Sequence, residues 1–140
     1  KYALEQGYCA RKVDGMPYRM PEGWFTDSLL MDYTSEEACE WWMKKRQYLV
    51  DEIQIDGFKT DGGEFVFGDN VRFADGRTGK EMRNEYPNLY IRSIMIISMK
   101  NEMGLYSAEL DLQERVGCQH IGREMKNLRF LHFEGICVQD

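Results

Sequence analysis

The stretch Ile55-Asp56-Gly57-Phe58-Lys59-Thr60-Asp61-Gly62-Gly63-Glu64 constrains this chain more than any other. A short apolar run ends in a carboxylate, two glycines and a second carboxylate. Such a run fits a buried strand, and the glycines let the backbone bend sharply where another molecule approaches. A second run of the same kind lies upstream, Ser28 to Tyr33, with Asp32 near its end. Between them the sequence announces a helix. Thr34 and Glu37 have capping-box spacing, and Glu36 adds first-turn charge that suits the helix dipole. Ala38, Trp41, Trp42 and Leu49 mark one face, while Lys44, Arg46, Asp51 and Glu52 occupy others. Strand, capped helix, strand is a βαβ pattern. The expected fold class is therefore α/β, with both strands in a parallel sheet covered on its two faces.

The rest of the chain is less legible. Gly7 to Val13 has strand propensity, Asp14-Gly15 marks a tight turn, and Pro17 and Pro21 keep the returning arm at an edge. Residues 65–84 read as a long loop with several turn signals, a length that is often functional. Glu85-Tyr86-Pro87-Asn88 starts the next element, with Pro87 in its first turn and Tyr90 and Ile94 on one face. Beyond about Ser93 the texture changes. Ile94 to Met99 is apolar without clear period, Ser107 to Val116 suits a helix, and Leu128 to Phe133 suits a strand.

Composition narrows the function. The 140 residues suit one domain. A net charge of −6 argues against a nucleic-acid binder or a protein that docks on anionic lipid. The longest apolar run, Ile94 to Met99, falls far short of the roughly 20 residues of a membrane-spanning helix. The four cysteines and two histidines include one close pair, Cys118-x-His120, without convincing partners, so no metal site and no disulfide framework is expected. No cofactor is expected. The chain begins at Lys1 without a visible signal peptide, which reads as a processed chain or a piece of a longer one; the compartment is not fixed.

The chemistry gathers at strand ends. In parallel α/β sheets and barrels, reactive residues collect at the carboxyl ends of strands. Asp32 and Asp61 both fall there, and two acids are the minimum kit for glycosidic bond cleavage. Lys59 shares a face with Asp61 by strand alternation and would hold the acid ionised. An Asp-Gly-Gly turn whose acid only solvates a loop is the plainer alternative. A calcium loop fails, because its register would put Gly57, Lys59 and Gly68 at ligand positions. Trp41 and Trp42 belong to the helix core. Trp24, among turns and glycines, is a candidate sugar platform.

The same residues resemble a known motif. Phe58-Lys59-Thr60-Asp61-Gly62-Gly63-Glu64 is similar to the nucleophile motif of glycoside hydrolase family 31, the α-glucosidase and α-xylosidase family. Asp14 to Tyr18, the Trp24 region, Leu30 to Thr34 and Trp41-Trp42 look like the segment leading to it, and Tyr86 to Tyr90 like the one that follows. The resemblance covers roughly residues 5–92. It implies a slice of a (β/α)8 barrel, about strands 3 and 4 with their helix, because a closed barrel needs about 250 residues. It implies a carbohydrate substrate, a terminal α-linked glucose or xylose. Asp61 would be the nucleophile of a retaining mechanism, with Lys59, Glu64 and Trp24 binding substrate. A transglycosylase is the variant in which a sugar, not water, takes the intermediate. The rival reading is a non-catalytic acidic α/β module that binds a sugar or a protein through Trp24 and the long loop.

Residues 94–140 depart from the family pattern. The S-R-A-G-like motif with its substrate-binding arginine and the W-x-G-D-like motif with its acid/base aspartate are absent. In a shifted reading frame, however, Ser93 to Ser98 permits Y-Y-D-Y-F, Ser107 to Arg115 permits S-R-A-G-F-T-G-A, and Val116 to Leu128 permits R-V-P-T-Y-W-A-G-D-E-E-S. The expectation is one frame change near Ser93. The acid/base would then be encoded across Glu124 and Met125, and apolar residues such as Ile94, Ile96, Ile97 and Leu128 would be exposed.

Overall fold

The computed structural model describes residues 1–23, 25–60, 63–100, 104–107, 130–133 and 137–138. The elements run α1 (Tyr2–Glu5), β1 (Arg11–Lys12), β2 (Leu29–Leu30), α2 (Glu36–Lys44), α3 (Gln47–Asp51), β3 (Gly57–Thr60), β4 (Val71–Arg72), α4 (Gly79–Met82), α5 (Tyr86–Lys100), β5 (Gly104–Ser107), β6 (Phe130–Phe133) and β7 (Cys137–Val138). The fold is α/β, as expected.

β3 is the centre of the three-stranded sheet. It pairs in parallel with β5 on one edge and β6 on the other, Lys59 lying opposite Tyr106 and His132. The fifteen-residue helix α5 lies in the crossover from β3 to β5, as a parallel neighbour requires. The two apolar strands, expected in one parallel sheet, lie in separate sheets. β2 runs antiparallel to β7; Leu29 also bridges Arg19, and Met31, just past β2, bridges Cys9, both antiparallel. A strand has two hydrogen-bonding edges, and both edges of β3 are taken. Apolar pattern reports that a strand is buried, and not which neighbour it takes.

The helical segment after β2 differs in detail too. Ser35, not Thr34, caps α2, its hydroxyl accepting from the Ala38 N–H. Thr34 is engaged with Asp32 instead. The helix breaks at Lys45–Arg46 and resumes as α3. The strand expected from Ile53 begins only at Gly57, because Gln54 turns with φ 56° and leaves Ile53 47% exposed.

The expected loop over 65–84 contains structure of its own. β4 pairs antiparallel with β1, and Thr78 and Glu81 form a complete capping box at α4. Gly79 has a steric reason to be glycine, since a Cβ there would run into the Gly68 carbonyl oxygen. The turn at Asp14-Gly15 forms as expected, with Gly15 at φ 83° and Arg11 bridged to Pro17.

The core lies where β2, β3, α2 and α5 meet. Tyr33 contacts Trp42, Tyr86 and Tyr90 with ring centroids 5.6–5.8 Å apart, and Phe73 packs on Tyr86. Such ring pairs add about 0.5–1.5 kcal/mol each beyond area burial. The Tyr86 hydroxyl donates to the Met31 carbonyl at 2.8 Å, fastening α5 to the end of β2. Arg46 lies over the Trp42 ring at 3.4 Å. Trp42 is buried as expected, while Trp41 is half-buried between Tyr2 and Tyr8.

α5 corrects one expectation about the tail. Its buried side includes Tyr86, Tyr90, Ile91, Ile94 and Ile97, a helical stripe that runs on past Ser93. Ile94 and Ile97 are therefore inside, and Ile96 is 53% exposed. Leu128 and the helix expected from Ser107 to Val116 lie outside the described residues, apart from Ser107, which ends β5. β6 forms within the strand expected over Leu128 to Phe133.

Candidate active site

The carboxyl end of β3 is where the motif sits. Phe58 and Thr60 are buried and Lys59 is half-buried. Alternation therefore turns Lys59 to the face opposite Phe58, which belongs to the main core. The Thr60 hydroxyl is buried and has no hydrogen-bond partner among the described residues. Asp61 and Gly62 follow directly, and both lie outside the described residues, as does Trp24. Gly63 is buried and Glu64 exposed.

Asp32 is the other strand-end acid. It is 2% exposed, and three donors converge on it. One oxygen accepts from the Thr34 N–H at 3.0 Å and from the Thr34 hydroxyl at 2.6 Å; the other accepts from the Ala74 N–H at 2.6 Å. The Thr34 hydroxyl also accepts from the Asp75 N–H at 3.3 Å. Burial pushes the Asp32 carboxyl above its ordinary range, while the Thr34 hydroxyl and the Ala74 and Thr34 N–H groups pull the other way. The contacts make Asp32 a clamp that holds residues 74–75 onto the end of β2.

The segment leaving the motif is held by a residue that sequence reasoning did not single out. Tyr18, on the returning arm of the first turn, is buried. Its hydroxyl accepts from the Phe67 N–H at 3.2 Å and lies 3.4 Å from the carbonyl oxygens of both Phe65 and Phe67. Nothing in the local sequence points to this contact, because its partners lie 47 and 49 residues away. Beside it, Phe25 meets Phe65 edge-on at 5.3 Å and Phe65 meets Phe67 at 6.3 Å.

Comparison with known proteins bears on this geometry. The family model described as the glycosyl hydrolases family 31 TIM-barrel domain matches residues 1–116. The isomaltosyltransferase of Sporosarcina globispora is 50% identical over 93 residues, which are 66% of this chain and 8% of that protein. The cycloalternan-forming enzyme from Listeria monocytogenes, solved with a pentasaccharide substrate, superposes with a TM-score of 0.73 at 42% identity, over 76% of this chain and 10% of that one. The cycloalternan-degrading enzyme from Trueperella pyogenes, solved with a covalent intermediate, superposes at 0.70 with 36% identity, over 76% of this chain and 15% of that one. The chain thus spans about a tenth of the length of the proteins it matches.

Proposed function

The chain belongs to glycoside hydrolase family 31, and we propose from this that it is a piece of a retaining α-glycosidase barrel, around strands 3 and 4, with Asp61 as nucleophile. The observation that carries the reading is the placement of the Phe58-to-Glu64 motif, which puts Asp61 immediately after the central strand of a parallel sheet. The intermediate captured in the Trueperella pyogenes relative supports a covalent route. In that route a carboxylate oxygen of Asp61 bonds to the anomeric carbon as the bond to the leaving group breaks, and water or a sugar hydroxyl then releases the glycosyl ester. Lys59 holds the carboxylate ionised or contacts the sugar, Glu64 supports the site from just beyond the strand, and Trp24 lines it. The substrate is a terminal α-linked glucose or xylose.

The frame change near Ser93 is part of the same proposal. It removes the arginine and the acid/base aspartate and leaves a chain that cannot protonate a leaving group. β5 ends at Ser107, where the shifted frame begins S-R-A-G. On this reading that motif stands at the end of the strand beside β3, which supports its order in the barrel.

A glucosyl fluoride bearing a second fluorine at C2 tests the nucleophile without needing the missing acid. Fluoride leaves unprotonated, and the ester at Asp61 accumulates. Peptide mass spectrometry is expected to find the sugar on Asp61, with no label in Asp61→Asn and no turnover of an α-linked disaccharide. Sugar binding without label points to the non-catalytic module; label on another residue overturns the assignment of Asp61.

A further inference from the structure

Between α2 and α5 runs a groove of about 430 Å³. Its floor is apolar, built from Cys39 and Met43 of α2 and Leu89 and Ile97 of α5. The Cys39 thiol and the Ser93 hydroxyl lie 3.6 Å apart in it, so the two helices meet there. Ile96 stands on the rim, 53% exposed, although Ile94 and Ile97 beside it are buried. One exposed isoleucine is ordinary when alone. One that borders an open apolar groove extends a surface.

The charges along this groove are sorted by end. Both helices start beside Tyr33. Ser35 caps α2 just after it, and Tyr86, the first residue of α5, has its ring 5.6 Å from that of Tyr33. The helices are still in contact at Cys39 and Ser93, so they run the same way. Glu36 and Glu40 line the first part of α2, Lys44 its last turn and Lys100 the end of α5, with Arg92 near the middle of α5. One end of the groove is therefore acidic and the other basic. Glu36, Glu40, Lys44 and Lys100 are all exposed, and among the described residues none of them makes an ion pair within the chain.

We propose that this groove is the seat of a two-fold contact with a second copy of the chain, the axis crossing the groove at right angles so that α2 lies antiparallel on α2 of the other copy. A surface that is acidic at one end and basic at the other is complementary to itself when reversed. Glu40 of each copy then faces Lys44 of the other, and Ile96 of each closes over the other's apolar floor. A partner carrying charge of one sign would match one end and be repelled by the other, which is what favours a second copy. The antiparallel setting also opposes the helix dipoles. The face is small: a fifteen-residue helix with a second beside it covers about 22 Å by 20 Å, about 400 Å² per copy against the roughly 800 Å² of a standard interface. The net charge of −6 opposes association at long range. The contact is accordingly weak, with a dissociation constant on the order of 100 µM. It is independent of the reading of Asp61.

Sedimentation equilibrium of the intact chain, from about 5 µM to about 1 mM, brackets that constant. The apparent mass is expected to rise toward twice that of the monomer and no further, because a two-fold contact closes on itself. Glu40→Lys and Lys44→Glu should each weaken association by about five-fold or more, since each reverses both symmetry-related ion pairs at once. An equimolar mixture of the two variants should associate as the unaltered chain does, because the mixed pair again sets acid against base at both contacts. That recovery requires both variants to be folded, so unfolding cannot imitate it. Ile96→Asp should abolish association and leave the far-ultraviolet circular dichroism unchanged. A chain that stays monomeric throughout, or grows beyond a dimer, overturns the proposal. So does association that Ile96→Asp leaves intact, or a mixture that associates no better than either variant alone.

Discussion

Asp32 shows how a residue chosen for one chemistry serves another. Its position at a strand end suggested half of a catalytic pair, whereas its oxygens are occupied by Thr34 and Ala74. Burial raises its carboxyl above the ordinary 3.8. A folded-state value above the unfolded one means that folding favours the protonated form. The stabilisation is therefore full below about 3.8 and is lost as pH rises through the raised value. Asp32→Asn removes this titration and turns an amide N–H toward a donor that needs an acceptor, at a cost of about 1–3 kcal/mol. Urea midpoints of the two proteins, compared from about pH 4 to pH 7, should differ most at the acid end. A difference that does not change with pH would show that Asp32 does not titrate in that window.

At the scale of elements, the sequence was most readable where local chemistry decides the outcome. The Asp14-Gly15 turn, the start of α5 and the buried face carrying Ala38 and Trp42 all follow from residues close together in the chain. The capping box at Thr78 and Glu81 was equally local, yet went unread among the turn signals of residues 65–84. Strand partners were not legible, because pairing is settled by competition for edges across the molecule. The cap of α2 was legible only to within one residue, since adjacent Thr34 and Ser35 are both good caps. Ser35→Ala should cost about 1 kcal/mol by loss of the bond to Ala38. Thr34→Ala should act through the Asp32 clamp and leave the helix cap intact. Thermal unfolding with helix content followed by circular dichroism separates the two; equal loss of α2 helicity would contradict the assignment.

For the molecule as a whole, the candidate site is legible as a motif. The motif strand was readable because its residues are contiguous; the Tyr18 contact was not, because it joins distant segments. The frame change near Ser93 predicts that one base inserted or removed in the coding DNA restores both S-R-A-G and W-x-G-D in order. Nucleotide sequencing decides this, and a gene in which no such change restores them ends the proposal. Burial of Ile94 and Ile97 adds a physical point. A run of isoleucines fills a helix face whether or not it was selected to do so, since spacings of three and four recur in any such run.

The parallel partners of β3 both come from beyond residue 100. A β-ladder is built from peptide groups, and a neighbouring strand on each edge satisfies those of β3. β5 and β6 therefore serve the motif strand as a sheath. Without it, β3 would present two open rows of N–H and C=O groups, the template through which strands of different molecules join. β5 and β6 thus cover both edges of the strand that carries the motif.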